Sequence, residues 1–430
     1  MNQRSNAKEK SSSHSRAFRK WGSYVSSRVG LAGLPLQIHI LLILGFLFSI
    51  GRNVAFPYFA MFLKASSESG GLDFDASLIG FIVMIGGLSY TFILPATGSL
   101  CDRIGRRRMM MASMIPQVVL TAGYAYAHTY VEFILLYAAT GVLGAFYDPA
   151  SSAMVADLVE PSRREEVYGL SYMISNIGTV VGPPVGGIIA SVSGYPILFV
   201  YAAVFAGASA TILVLFIKES HIREVSKMRI SQFAGIFKDR LFILFCFMGA
   251  MTNLVYTQLY GLLSVYTEYV GFQPYIFGIF FSLNGAMVVT LQIPIRKAAM
   301  MLGAAKAFIV AQLLYAIGFT YFMFAADFFQ FVAGIVVLTL GEIVFVPASS
   351  GFVANMAPAD MRGRYMAMLG LFFGIGGSAG SQIAFSIFGM LADKRVIWGI
   401  LGIVGFATLL GYGLLLKMVS ESKASAVHGR

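Results

Sequence analysis

Three ionisable side chains, Arg52, Asp148 and Glu342, stand inside long apolar stretches of this chain. Placing a charge in hydrocarbon costs about 2.5–3.5 kcal/mol on insertion scales, so each needs a partner, water or a task. A carboxylate so placed can take up and release a proton, and a guanidinium can hold an anion or neutralise that carboxylate. Glu342 lies nearer the middle of its stretch than Asp148 and is the first choice for the proton. Tyr256 and Tyr260, four residues apart with Gln258 between them, offer rings on which a planar or cationic molecule could stack. The simpler readings are static ion pairs for the three charges and polar helix packing for Gln258, Asn53, Asn253 and Gln292. No catalytic, metal or cofactor chemistry suggests itself. The five His are scattered, Cys101 and Cys246 are lone thiols far apart, and no phosphate-binding GxxxxGK[ST] loop occurs.

The elements that must carry these residues follow from composition. The 430 residues are 57% hydrophobic and 12% charged, with a net charge of +11. That is too apolar for water-facing domains and excludes a soluble enzyme, a disordered chain and a disulfide scaffold. Twelve segments are long enough for helices crossing the roughly 30 Å of a bilayer core: 36–63, 76–98, 108–128, 131–156, 167–190, 196–217, 241–266, 274–295, 305–326, 329–356, 364–391 and 396–417. Of the 31 Lys and Arg, only Lys64, Lys394 and Arg395 fall in loops opposite the termini, and Arg52 lies within a span. By the positive-inside rule the termini are cytoplasmic, and the basic excess is a signal of topology rather than of nucleic acid. The Ser-rich residues 1–35 read as a disordered basic tail, 218–240 as a cytoplasmic linker dividing the spans six and six, and 418–430 as a second tail.

The halves 36–217 and 241–417 echo one another. Pro149-Ala150-Ser151-Ser152 in the fourth span recurs as Pro347-Ala348-Ser349-Ser350 in the tenth, followed by Val155-Ala156-Asp157 against Val353-Ala354-Asn355. Two six-helix repeats related by an axis along the membrane normal place a binding site between them near the midplane.

After the second span the chain reads Gly98-Ser99-Leu100-Cys101-Asp102-Arg103-Ile104-Gly105-Arg106-Arg107-Arg108. Glycines permit the tight turn, Asp102 can sit at a helix N-terminus, and Arg106 can reach an acid on a neighbouring helix. In the fifth span Gly169, Gly178, Gly182-Pro183 and Gly186-Gly187 lay a smooth stripe for close backbone packing, with a proline that invites a bend.

The first of these stretches resembles the signature loop between helices two and three of the major facilitator superfamily, GxLxDRxGRR, at every defined position. The second is similar to the helix-five motif of that superfamily's antiporter branches, chiefly drug:proton antiporters. The resemblance runs from the first span to the twelfth and implies two pseudo-symmetric six-helix bundles, an all-α membrane protein working by alternating access. It also implies a cytoplasmic gating latch of Gly98, Asp102, Gly105, Arg106 and Asp157, and a central cavity lined by the first, fourth, seventh and tenth spans. One element departs: helix four of proton antiporters often carries an arginine four residues before a glycine, whereas Tyr137 precedes Gly141 here. The expectation is a monomeric multi-pass protein of the cell membrane that exports amphipathic organic compounds in exchange for protons. An importer of a metabolite such as an organic anion held by Arg52, and a receptor or scaffold that moves nothing, stay open as alternatives.

Overall fold

The computed structural model describes residues 33–220, 236–358 and 361–428. The expected basic tail therefore lies outside the described residues up to residue 32, as does the linker over 221–235. Among the described residues, twelve helical rods make up the fold: α1 (Leu36–Lys64), α2 (Ala76–Ile104), α3 (Arg106–Tyr124), α4 (Tyr130–Leu158), α5 (Arg164–Ser193), α6 (Pro196–Phe216), α7 (Arg240–Tyr269), α8 (Pro274–Leu302), α9 (Ala304–Phe322), α10 (Phe328–Met356), α11 (Arg362–Met390) and α12 (Val396–His428). Ten are long and apolar enough to cross a bilayer; α9 is shorter and α3 begins with three arginines. There is no strand among the described residues.

Several helices overrun the apolar segments read from sequence. α2 continues to Ile104, α8 passes Arg296 and Lys297 to Leu302, and α12 persists to His428, through the expected tail. Hydropathy marks where lipid would end, whereas the i to i−4 hydrogen-bond ladder continues until a cap or breaker stops it. Large apolar side chains such as Leu135, Val192, Leu215 and Phe329 stand on outward faces, the arrangement expected where the surroundings are lipid.

Helix starts repeat between the halves. A capping box opens α4, with Thr129 and Glu132 exchanging bonds, and another opens α10, with Asp327 and Gln330. Both α1 and α7 break into a 3-10 turn part-way along, at Phe56–Tyr58 around Pro57 and at Thr257–Leu259. Packing obeys the same symmetry. In the first half α1 lies on α5 and α6, α2 on α4, and α3 on α4 and α6; adding six to each number gives the packing of the second half. The halves meet along two equivalent seams, α2 on α11 and α5 on α8.

Glycines set those approaches. A methyl on Gly178, Gly182 or Gly186 would strike Ser49, Asn53 or Val54 of α1, and one on Gly187 would strike Tyr275 of α8. The second half lacks the Gly-Pro pair, yet Gly376 and Gly380 of α11 press on Ala250 and Leu254 of α7 in the same way. Gly186→Val is expected to force α1 from α5 and to cost about 1–3 kcal/mol by overpacking, seen as a lower thermal midpoint in detergent; an unchanged midpoint would mean that α1 shifts freely.

Candidate functional site

Between the halves lies a cavity of 760 Å³. Arg52 of α1 and Asp148 of α4 are the charged side chains on its wall, accompanied by Tyr90, Tyr137, Tyr147 and Tyr260. Both charges are solvent-exposed within it. None of the ion pairs among the described residues involves Arg52, Asp148 or Glu342. The static-pair reading of the three charges therefore does not describe this conformation.

The inter-half contacts lie toward the end of the bundle away from the Arg106 turn, here called the far end. Ser77 Oγ lies 3.0 Å from Ser386 Oγ and accepts from Gln382 Nε2 at 3.4 Å; Ser282 Oγ donates to the Val180 carbonyl. At the opposite, basic end a Cβ added to Gly98 of α2, Gly169 of α5 or Gly363 of α11 would have nothing within 4 Å. The molecule is closed at the far end and open at the basic end. The openness around Gly98 and Gly169 also means that neither glycine is required there by close packing in this state.

Glu342 is placed differently from Arg52 and Asp148. It sits behind the cavity wall, where its Oε2 accepts from Asn284 Nδ2 of α8 at 2.8 Å and both its oxygens lie 3.4 Å from the Tyr260 hydroxyl. Asn284 also donates to Thr339 Oγ1 at 3.0 Å, and the Tyr260 and Tyr256 hydroxyls lie 2.6 Å apart. Of the three residues expected on the seventh span, Tyr260 lines the cavity, whereas Tyr256 and Gln258 do not. Gln258 is fully buried, donating to the Leu254 carbonyl at 2.8 Å and to Thr257 Oγ1 at 3.2 Å, with its own carbonyl oxygen unpartnered. The 3-10 turn at Thr257–Leu259 changes the rotation of the helix at that point, so the four-residue spacing that would put Tyr256 beside Tyr260 on an ideal helix does not bring it to the wall. Tyr137, at the position where an arginine was missed, stacks on Phe59 with ring centroids 4.6 Å apart and lines the cavity.

At the basic end Arg106 joins three helices. Its Nη1 is 3.0 Å from Asp102 Oδ1 at the end of α2, and its Nε is 3.0 Å from Asp157 Oδ2 at the end of α4. The guanidinium is nearly buried, with 10% of its side chain exposed, so its two acids are held in a setting where a fork-shaped cation fits better than a point charge. Gly105 sits between α2 and α3 at φ 104°, where only glycine is unstrained, and a Cβ there would also meet the Glu219 carboxylate. Sequence reasoning missed the residues that follow α6. Ser220 Oγ donates to the same Asp157 Oδ2 at 3.0 Å, and Glu219 Oε1 accepts from Arg107 N at 3.2 Å at the start of α3. No spacing rule links residue 219 to residue 106. Asn284 was missed for the same reason.

The chain matches the family profile described as Major Facilitator Superfamily over residues 41–299 and 261–430. Among curated proteins it is similar to a Na(+), Li(+), K(+)/H(+) antiporter of Planococcus maritimus, 25% identical over 84% of this chain and 90% of that protein. It is also similar to the multidrug resistance protein MdtH of Cronobacter sakazakii, 26% identical over 86% of this chain and 92% of that protein. Among solved structures, a peptide transporter, POT, in complex with sulfate superposes with a TM-score of 0.78 at 16% identity, covering 91% of this chain and 96% of that one.

Proposed function

The chain belongs to the major facilitator superfamily of membrane transporters, and from that premise we propose that it exports amphipathic organic compounds in exchange for protons. The two halves rock about the central cavity, the basic end facing the cytoplasm and the far end facing outward. The observation that carries the reading is the 760 Å³ cavity walled by tyrosines with one carboxylate and one guanidinium, open at the basic end. That volume falls within the roughly 300–1,000 Å³ typical of sites for small organic molecules and far exceeds what a bare monovalent cation needs. The relative named as a cation/proton antiporter supports exchange with protons; the multidrug-resistance relative supports organic cargo.

In this reading Asp148 is the counter-charge for a cationic substrate, the tyrosine rings stack on its planar part, and Glu342 carries the proton. Arg52 keeps the cavity close to neutral when substrate is absent. The arrangement of Asp102, Arg106 and Asp157 ties the inner rims of α2, α3 and α4 together so that the first half moves as one body.

Proteoliposomes test this directly. Ethidium, a planar lipophilic cation, is expected to be concentrated only when a pH gradient is imposed. Asp148→Asn is expected to weaken ethidium binding about 10- to 100-fold, the loss of one charge-assisted contact worth about 1.5–3 kcal/mol. Saturable uptake of a single organic anion, lost in Arg52→Ala, would instead favour import, and the exposed, unpaired guanidinium is the observation behind that second reading.

A further inference from the structure

We infer that Tyr260 is the relay through which substrate in the cavity and the proton on Glu342 sense one another, so that the two do not compete for a single carboxylate. This rests on the export reading above and deepens it.

Exchange by direct competition requires the proton-carrying acid to face the substrate. Glu342 does not line the cavity, but Tyr260 does. The Tyr260 hydroxyl stands 3.4 Å from each carboxylate oxygen of Glu342, 3.4 Å from Asn284 Oδ1 and 2.6 Å from the Tyr256 hydroxyl. Its ring rests edge-on against Phe281, another wall residue, with centroids 5.1 Å apart. The ionisable groups facing Glu342 are Tyr256 and Tyr260 on α7 and Tyr315 on α9, and the group from α8 is the neutral Asn284. No cation pairs with Glu342 among the described residues. Tyr260 is thus the side chain that both lines the cavity and reaches the acid.

The step balances without any other reactant. Tyr260 Oη accepts the proton of the Glu342 carboxyl and gives its own hydroxyl proton to water in the cavity, leaving a carboxylate and a neutral tyrosine. The carboxylate keeps its bond from Asn284. A cationic ring stacking on the cavity side of Tyr260 favours the state with the negative carboxylate behind it, so binding drives release, and a returning proton weakens binding.

The test uses purified full-length protein in lightly buffered detergent with a pH indicator and ethidium as the probe. The wild-type protein is expected to release about one proton per ethidium bound. Tyr260→Phe keeps the ring; at saturating ethidium it is expected to release less than about a fifth as many protons per ethidium bound as wild type. Full release from Tyr260→Phe would overturn the relay while leaving the export reading intact. Weakened binding with unchanged release would do the same, by making Tyr260 a contact residue alone. Tyr256→Phe, which frees Tyr260 of its other hydroxyl partner, is a second probe should the first variant not fold. It is expected to shift the pH at which release is half complete without altering affinity, and an unchanged midpoint would count against the relay. A wild-type protein that concentrates ethidium without any pH gradient overturns the export reading itself.

Discussion

Glu342→Gln is expected to abolish concentration of ethidium driven by a pH gradient while still binding ethidium, with the weaker affinity of the protonated wild-type protein. Glutamine has nearly the shape of glutamic acid. Its amide can still accept from Asn284, which donates to Glu342 Oε2 at 2.8 Å, and can still meet the Tyr260 hydroxyl. What it cannot do is gain and lose a proton. Because Glu342 is off the cavity wall, the substitution leaves the binding surface intact. Driven transport should vanish, and downhill flux, measured as efflux from preloaded liposomes without a gradient, should persist. If Glu342→Gln still concentrates ethidium, the proton travels on another group, and Asp148 is the remaining carboxylate facing the cavity.

The second large effect is at the basic end. Arg106→Ala removes a nearly buried cation bonded at 3.0 Å to both Asp102 and Asp157. Two carboxylates are left together in a partly enclosed setting, where breaking a pair costs far more than the pair contributes. A destabilisation of about 3 kcal/mol is expected, read as a lower thermal midpoint in detergent. Turnover should fall more than ethidium affinity, since the cavity lies well away from this cluster. Arg106→Lys is expected to recover only part of the loss, because one ammonium cannot serve Asp102 and Asp157 with the geometry of Nη1 and Nε. A large fall in affinity at unchanged turnover would show that the cluster shapes the cavity instead of the movement.

These two cases also mark what could be read from sequence. The pairing of Arg106 with Asp157 was expected from the resemblance of the Gly98–Arg108 stretch to the superfamily's loop, whereas charge and hydropathy alone placed both residues at helix ends without pairing them. The twelve rods and their sixfold offset were legible, since long apolar runs and the Pro149 and Pro347 repeats are one-dimensional signals. Side-chain direction was not. Arg52 and Asp148 face the cavity, but Glu342 and Gln258 point behind its wall, and that difference depends on rotation about the helix axis. A 3-10 turn at Thr257–Leu259 resets that rotation within α7. Partners such as Asn284 for Glu342, and Ser220 for Asp157, come from distant segments and depend on three-dimensional packing.

The seam that shuts the far end has a bearing on energetics. It is built from bare-backbone approaches, such as Gly80 of α2 beside Phe385 and Gly187 beside Tyr275, together with a few serine and glutamine hydrogen bonds. Contacts of this kind break one at a time and each can be replaced by water, so unzipping meets no single large penalty. A cargo molecule that favours one arrangement by only about 1.4 kcal/mol then changes the ratio of the two arrangements tenfold. Bulky hydrocarbon introduced along this glycine edge would tilt that balance the other way, biasing the resting population without touching any group that meets the cargo.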